Sequence, residues 1–109
     1  MDQFQPQPFS IRVLPMQAQV VRVRVSGEVD LCTAPELERA LVQEIHAARE
    51  VLLDLSEVSF IDSSGLHAIV AAAQAARSDG GALVLDSRMP DQARRLFEIT
   101  GLQSLVAVE

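Results

Sequence analysis

The 109-residue chain has no lysine, tryptophan or tyrosine, and its single cysteine is Cys32. A lone cysteine rules out an intramolecular disulfide, and its expected place is that of a small buried apolar residue in a reducing compartment. Without lysine a Gly-x-x-x-x-Gly-Lys phosphate loop cannot be built, so the glycines read as turn residues. Aromatics at 4% leave the core to Val, Leu, Ile and Ala. A net charge of −6 argues against nucleic acid as a partner, because a phosphate backbone calls for a basic face. No apolar run is long enough to cross a bilayer, since the longest, Leu66 to Ala76, is interrupted by His67 and Gln74. Met1 to Pro8 has neither the basic nor the apolar region of a signal peptide. A cytoplasmic protein with no membrane partner is therefore expected. Neither His–Cys spacing nor an acidic triplet suggests a metal, and no cofactor is expected.

What is present is an ordinary globular balance of 49% hydrophobic and 22% charged residues, enough for one domain. Residues 1–8 read as a loose polar lead-in and 9–109 as the domain. Phe9 to Leu14 suits a short strand. Val21, Val23 and Val25 alternate with Arg22 and Arg24, the period of a strand with one wet face, which Gly27 should end. Thr33-Ala34-Pro35-Glu36 reads as a capping box, followed by a helical stripe of Leu37, Ala40, Leu41, Ile45 and Ala48. Val51 to Leu55 is an apolar run with one Asp, as in a central strand, and a short loop should follow it. An Ala-rich helix from Ser63 to Arg77 stops at Ser78-Asp79-Gly80-Gly81. Ala82 to Leu85 reads as a strand. Pro90 and Asp91 open a third helix with Ala93, Leu96 and Phe97 inward, closed by Gly101, and Leu105 to Val108 suits a last short strand. Arg94 and Arg95 read as a solvated face, with Arg95 able to hold loop carbonyls or acids. Alternating strands and helices imply an α/β layered domain with a mostly parallel sheet of four to five strands.

Asp62-Ser63-Ser64-Gly65 follows a strand and opens a helix, among backbone N–H groups that lack intrahelical partners and favour negative charge. Any of Asp62, Ser63 or Ser64 could cap them. Gly65, without a side chain, would let another molecule's backbone come close. Sites in such sheets gather beyond the carboxyl ends of strands, where this segment falls. A hydrolytic serine is disfavoured, because the Gly-x-Ser-x-Gly elbow is absent and His67, four residues after Ser63, suits a surface or partner contact better than a base. Asp30, with Glu28, follows an earlier strand and suits either loop capping or partner contact.

Asp62-Ser63-Ser64-Gly65-Leu66, after Val58-Ser59-Phe60-Ile61, resembles the signature of bacterial anti-sigma factor antagonists of the STAS domain superfamily. Gly27-Glu28-Val29-Asp30 and Arg95-Leu96-Phe97-Glu98-Ile99-Thr100-Gly101-Leu102 fit the same pattern in order, so the resemblance runs from about Ile11 to Val108. It implies a STAS-type single domain that is not an enzyme. The unphosphorylated form would bind an anti-sigma factor, often a serine kinase of the histidine-kinase-like ATPase fold, and free the sigma factor. The kinase would phosphorylate the serine that stands here at Ser63, with Ser64 of lesser weight, and a metal-dependent serine phosphatase would restore it. Asp30 matches a family position implicated in partner contact, and Asp62, Ser63, Ser64, Gly65 and His67 complete the expected surface. ATP and magnesium would belong to the kinase. The alternative within the fold is a constitutive STAS subunit of a transporter or lipid-trafficking complex.

Overall fold

The computed structural model describes residues 8–102 and 106–109, so the expected lead-in falls almost wholly outside it, as does Leu105 of the last strand. The elements are β1 (Ser10–Gln17), β2 (Val20–Val29), α1 (Ala34–Ala47), β3 (Glu50–Ile61), α2 (Ser63–Ser78), β4 (Ala82–Leu85), α3 (Asp91–Thr100) and β5 (Ala107–Val108). They form one five-stranded sheet in the order β1-β2-β3-β4-β5. Only β1 is antiparallel to its neighbour. The mostly parallel α/β domain expected from the sequence is what is found.

The valines of β2 face the core as their alternation requires: Val23 and Val25 are buried with Val51 and Leu53 of β3 and Leu83 and Leu85 of β4. Leu37, Leu41 and Ile45 of α1, Leu66, Ile69 and the alanines of α2, and Ala93 and Phe97 of α3 close the same cluster. Alanine on α2 lets that helix lie close to sheet and neighbour, so an aliphatic core needs no large aromatic at its centre.

Four local expectations are corrected. Gly27 does not end β2. It sits at φ 87 beside a register shift and the strand runs on to Val29, while a Cβ at this position would lie 2.7 Å from the Phe9 backbone. No loop follows Leu55, because β3 stays paired with β2 across two register shifts and runs on to Ile61. Thr33 precedes α1, but its hydroxyl makes no cap: it accepts from the Asp30 N–H and donates to the Glu28 carbonyl, both at 2.9 Å. Cys32, in that same loop, is exposed rather than buried. Gly101 does take the left-handed position after α3, at φ 72.

Candidate functional site at the carboxyl ends of β2 and β3

The site is a corner built by two strand ends. Val29 pairs with Ile61, and the Asp62 N–H donates to the Val29 carbonyl at 3.1 Å. Asp30 and Asp62 thus leave the sheet side by side, and each turns one carboxylate oxygen back on its own chain. Asp62 Oδ1 accepts from the Ser64 and Gly65 N–H groups at 2.9 and 3.1 Å. Of the three possible caps, Asp62 is the one used. Asp30 Oδ1 accepts from the Cys32 and Thr33 N–H groups at 3.0 and 3.1 Å, so its loop-capping role is real.

Because Asp62 takes the cap, Ser63 is released. It is the first residue of α2, it is exposed, and its hydroxyl enters no hydrogen bond among the described residues. Ser64 is half-buried, and His67 is exposed one helical turn further on. Gly65 is different from the expectation. It is buried, and a Cβ there would lie 2.6 Å from Ile61 Cγ1 and 2.8 Å from Val29 Cγ1. The close approach it permits is to its own strands, so another molecule's backbone has no access to it. Two apolar side chains stand exposed nearby in sequence: Leu31 after Asp30, and Phe60, which pairs with Glu28 across the strands. Among the described residues, no three His, Cys, Asp or Glu side chains gather to hold a metal, and no helix is long and apolar enough to cross a membrane.

Sequence reasoning missed two features. The first is Gln92 at the start of α3. Its Oε1 accepts from the Ile61 N–H at 3.0 Å and its Nε2 donates to the Ile61 carbonyl at 2.8 Å. Nothing in a lone glutamine signals this. The second is an ionic network on the sheet face opposite the core. Arg22 Nη1 lies 3.0 Å from Asp54 Oδ2 and 2.9 Å from Asp86 Oδ2, and Arg24 Nε donates to Asp54 at 3.0 Å. Arg88 grips Asp86 through Nη2 at 2.9 Å and Nε at 3.2 Å. The Arg88 guanidinium, with Arg22, holds the Asp86 carboxyl well below the usual carboxylate range against the opposing pull of burial. Burial also pushes Asp54 up, but hydrogen bonds from Ser56, Arg24 and Arg22 outweigh it and the carboxyl is lowered. The Asp within the apolar run and the Arg–Val alternation were the available signals, but only the pairing of β2 with β3 joins them. On α3 it is Arg94, not Arg95, whose guanidinium holds loop carbonyls, those of Ser87 and Met89.

Fold and site together define a class: a small parallel α/β domain that presents a free serine at the carboxyl edge of its sheet, on the first turn of a helix. The profile described as "Mlab, STAS domain" matches residues 13–107. The anti-sigma-B factor antagonist of Listeria monocytogenes is 36% identical over 103 residues, covering 92% of this chain and 88% of that protein. An anti-sigma factor antagonist from Mycobacterium paratuberculosis, a solved structure, is 29% identical with a TM-score of 0.77, covering 93% of this chain and 85% of that one. The antagonist SpoIIAA in its unphosphorylated form superposes with a TM-score of 0.76 at 18% identity, over 92% of this chain and 88% of its own. Bacillus SpoIIAA in the phosphorylated form gives 0.70 at 20% identity, over 92% and 91%. At those identities SpoIIAA speaks to the fold alone. The chain belongs to the STAS domain family, among the bacterial anti-sigma factor antagonists.

Proposed function

We propose that this chain is a phosphorylation-switched antagonist of an anti-sigma factor. The unphosphorylated form binds the anti-sigma factor, itself a serine kinase, and the sigma factor is released. Phosphate on Ser63 ends the interaction, and a serine phosphatase restores it. The observation that carries this reading is the division of labour at the start of α2: Asp62 satisfies the helix N-terminus, which leaves Ser63 exposed with an uncommitted hydroxyl. The partner surface comprises Asp30, Asp62, Ser63, Ser64 and His67, with Leu31 and Phe60 as apolar contacts. Gly65 serves it indirectly, by letting α2 sit against β2 and β3. The 36% identity to the Listeria anti-sigma-B factor antagonist supports the antagonist part of the reading.

The rival within the same fold is a constitutive STAS subunit of a transporter or lipid-trafficking complex, docked permanently through the same corner. One experiment separates them. The protein is incubated with ATP, magnesium and each candidate serine kinase of its host. Phosphate should enter wild type and Ser64→Ala but not Ser63→Ala, and Ser63→Ala should still bind the kinase. Label mapped to Ser64 sinks the assignment. Tight binding to a partner with no incorporation of phosphate establishes the rival.

A further inference from the structure

β3 outruns its neighbour. Pairing with β4 stops at Leu53 and Leu85, and the Asp86 N–H closes it on the Leu53 carbonyl at 2.9 Å, yet β3 continues to Ile61. On its other side the extension is held by β2 as far as Val29 and Ile61. Along a strand the N–H and C=O of one residue point to the same side, and successive residues alternate. The Asp62 N–H points to β2. Those of Ile61 therefore point the other way, toward the edge that β4 does not reach. Ile61 is fully buried, and unpaired backbone groups are not tolerated in such a place. The carboxamide of Gln92 supplies both bonds, accepting at 3.0 Å and donating at 2.8 Å, and so stands in for the missing strand.

We propose that Gln92 is a positioning residue for phosphate transfer to Ser63: by clamping the Ile61 backbone it fixes the phosphoacceptor two residues on. The inference rests on the reading of Ser63 as phosphoacceptor. Ile61 is followed directly by Asp62, whose carboxylate caps α2, so freedom gained at Ile61 passes through the cap to the hydroxyl. In the transfer the Ser63 oxygen bonds to the γ-phosphorus of the kinase's ATP as the bond to the β–γ bridging oxygen breaks, ADP leaves, and the hydroxyl proton passes to a base of the kinase. The hydroxyl must stand in line with that phosphorus, and a displacement of about 1 Å can lower a rate by about a hundredfold.

Two variants of the full chain test this: Gln92→Met, which keeps length and removes both bonds, and Gln92→Glu, which keeps only an acceptor. Amide hydrogen exchange needs no partner. Exchange at Ile61 and at residues 62–65 should rise about tenfold in Gln92→Met and less in Gln92→Glu, while Val23 and Leu41 stay within about twofold of wild type. With the kinase and ATP, kcat for phosphorylation should fall about tenfold in Gln92→Met with KM within about twofold. Loss of protection spread evenly over the sheet would make Gln92 a general stabiliser and overturn the proposal, as would unchanged exchange at Ile61. A wild-type protein phosphorylated normally, with kcat unaltered in Gln92→Met, overturns the role of Gln92 alone. A wild-type protein that takes no phosphate at Ser63 overturns the reading beneath it.

Discussion

The amide of Asp62 donates to the carbonyl of Val29 at 3.1 Å, and this single bond brings the two candidate contact acids of the site into one corner. Asp30 and Asp62 are separated by a helix and a strand in sequence, yet both are the first residue beyond a strand end. Both also spend one oxygen on their own backbone. The corner is therefore rigid on its inner side and free on its outer side, where Ser63 stands.

The doubled role of Asp30 sets how it should respond to change. Asp30→Asn keeps an oxygen for the Cys32 and Thr33 amides and removes the charge. It should stay within about 0.5 kcal/mol of wild type in urea unfolding while weakening the anti-sigma partner in a titration. Asp30→Arg removes the acceptor as well and should lose about 1–2 kcal/mol, as the deletion of a cap does. Equal affinity for wild type and Asp30→Asn would leave Asp30 a purely structural residue.

The helices and the inner strands were legible because their signals are local. The Val alternation of β2, the Ala-rich run of α2 and the Pro90–Gly101 bracket of α3 each declare themselves within a dozen residues. What was not legible depends on partners far along the chain. Ser56 and Glu57 read as loop because they are polar, yet pairing with β2 across its register shifts keeps β3 extended there. Asp54 is 1% exposed because Arg22 and Arg24, some thirty residues earlier, reach it across the sheet. Thr33 and Glu36 carry the letters of a capping box, but Asp30 and Glu28 claim the threonine hydroxyl first. The motif marked Asp62, Ser63 and Ser64 alike as possible caps, whereas the choice of Asp62, the exposure of Ser63 and the burial of Gly65 needed the geometry.

Gly65 should tolerate no side chain. A methyl group there meets Ile61 and Val29 at separations that atoms do not adopt, and both neighbours are fully buried. Gly65→Ala gains helix propensity of about 0.8–1.0 kcal/mol. Overpacking of a closed core costs about 1–3 kcal/mol, so the balance should be destabilising. Urea unfolding should show a lower midpoint with little change in slope. A midpoint at or above wild type would mean that α2 can shift outward freely, and that the corner is softer than its contacts imply.

Acid should destabilise the domain through the carboxylates on the face opposite the core. Hydrogen bonds from Arg88 and Arg22 hold Asp86 below its ordinary range, and Asp54 is lowered in the same direction. A carboxyl depressed in the folded state contributes stability that is complete above its unfolded pKa of about 3.9 and is lost as pH falls toward the folded value. Stability should therefore be flat near neutrality and decline between about pH 4 and pH 2. Asp86→Asn should start lower at pH 7 and decline less over that window. Parallel curves for the two proteins in pH-dependent urea unfolding would remove Asp86 from the account.

Phosphate on Ser63 should switch the interaction and leave the fold in place. The group brings about −1.5 to −2 charges at neutral pH. At the first position of α2 that charge meets the positive end of the helix, a favourable contribution of about 0.3–1 kcal/mol. Asp62, already at the cap, opposes part of it. The net effect on the isolated domain should stay under about 1 kcal/mol, a melting shift of no more than about 4–8 °C for a domain of this size. In the complex the sum differs. If an acidic group of the proposed partner stands at about 4 Å, with an effective dielectric near 20, it costs about 4 kcal/mol per unit pair. At about 1.4 kcal/mol per decade this weakens binding by nearly a thousandfold. Repulsion across the interface thus exceeds any change within the domain. Calorimetry of phosphorylated and unmodified protein, beside a titration of each against the kinase, measures both quantities. A large melting shift would indicate that the phosphate refolds the corner, and unchanged affinity would indicate that Ser63 lies outside the contact.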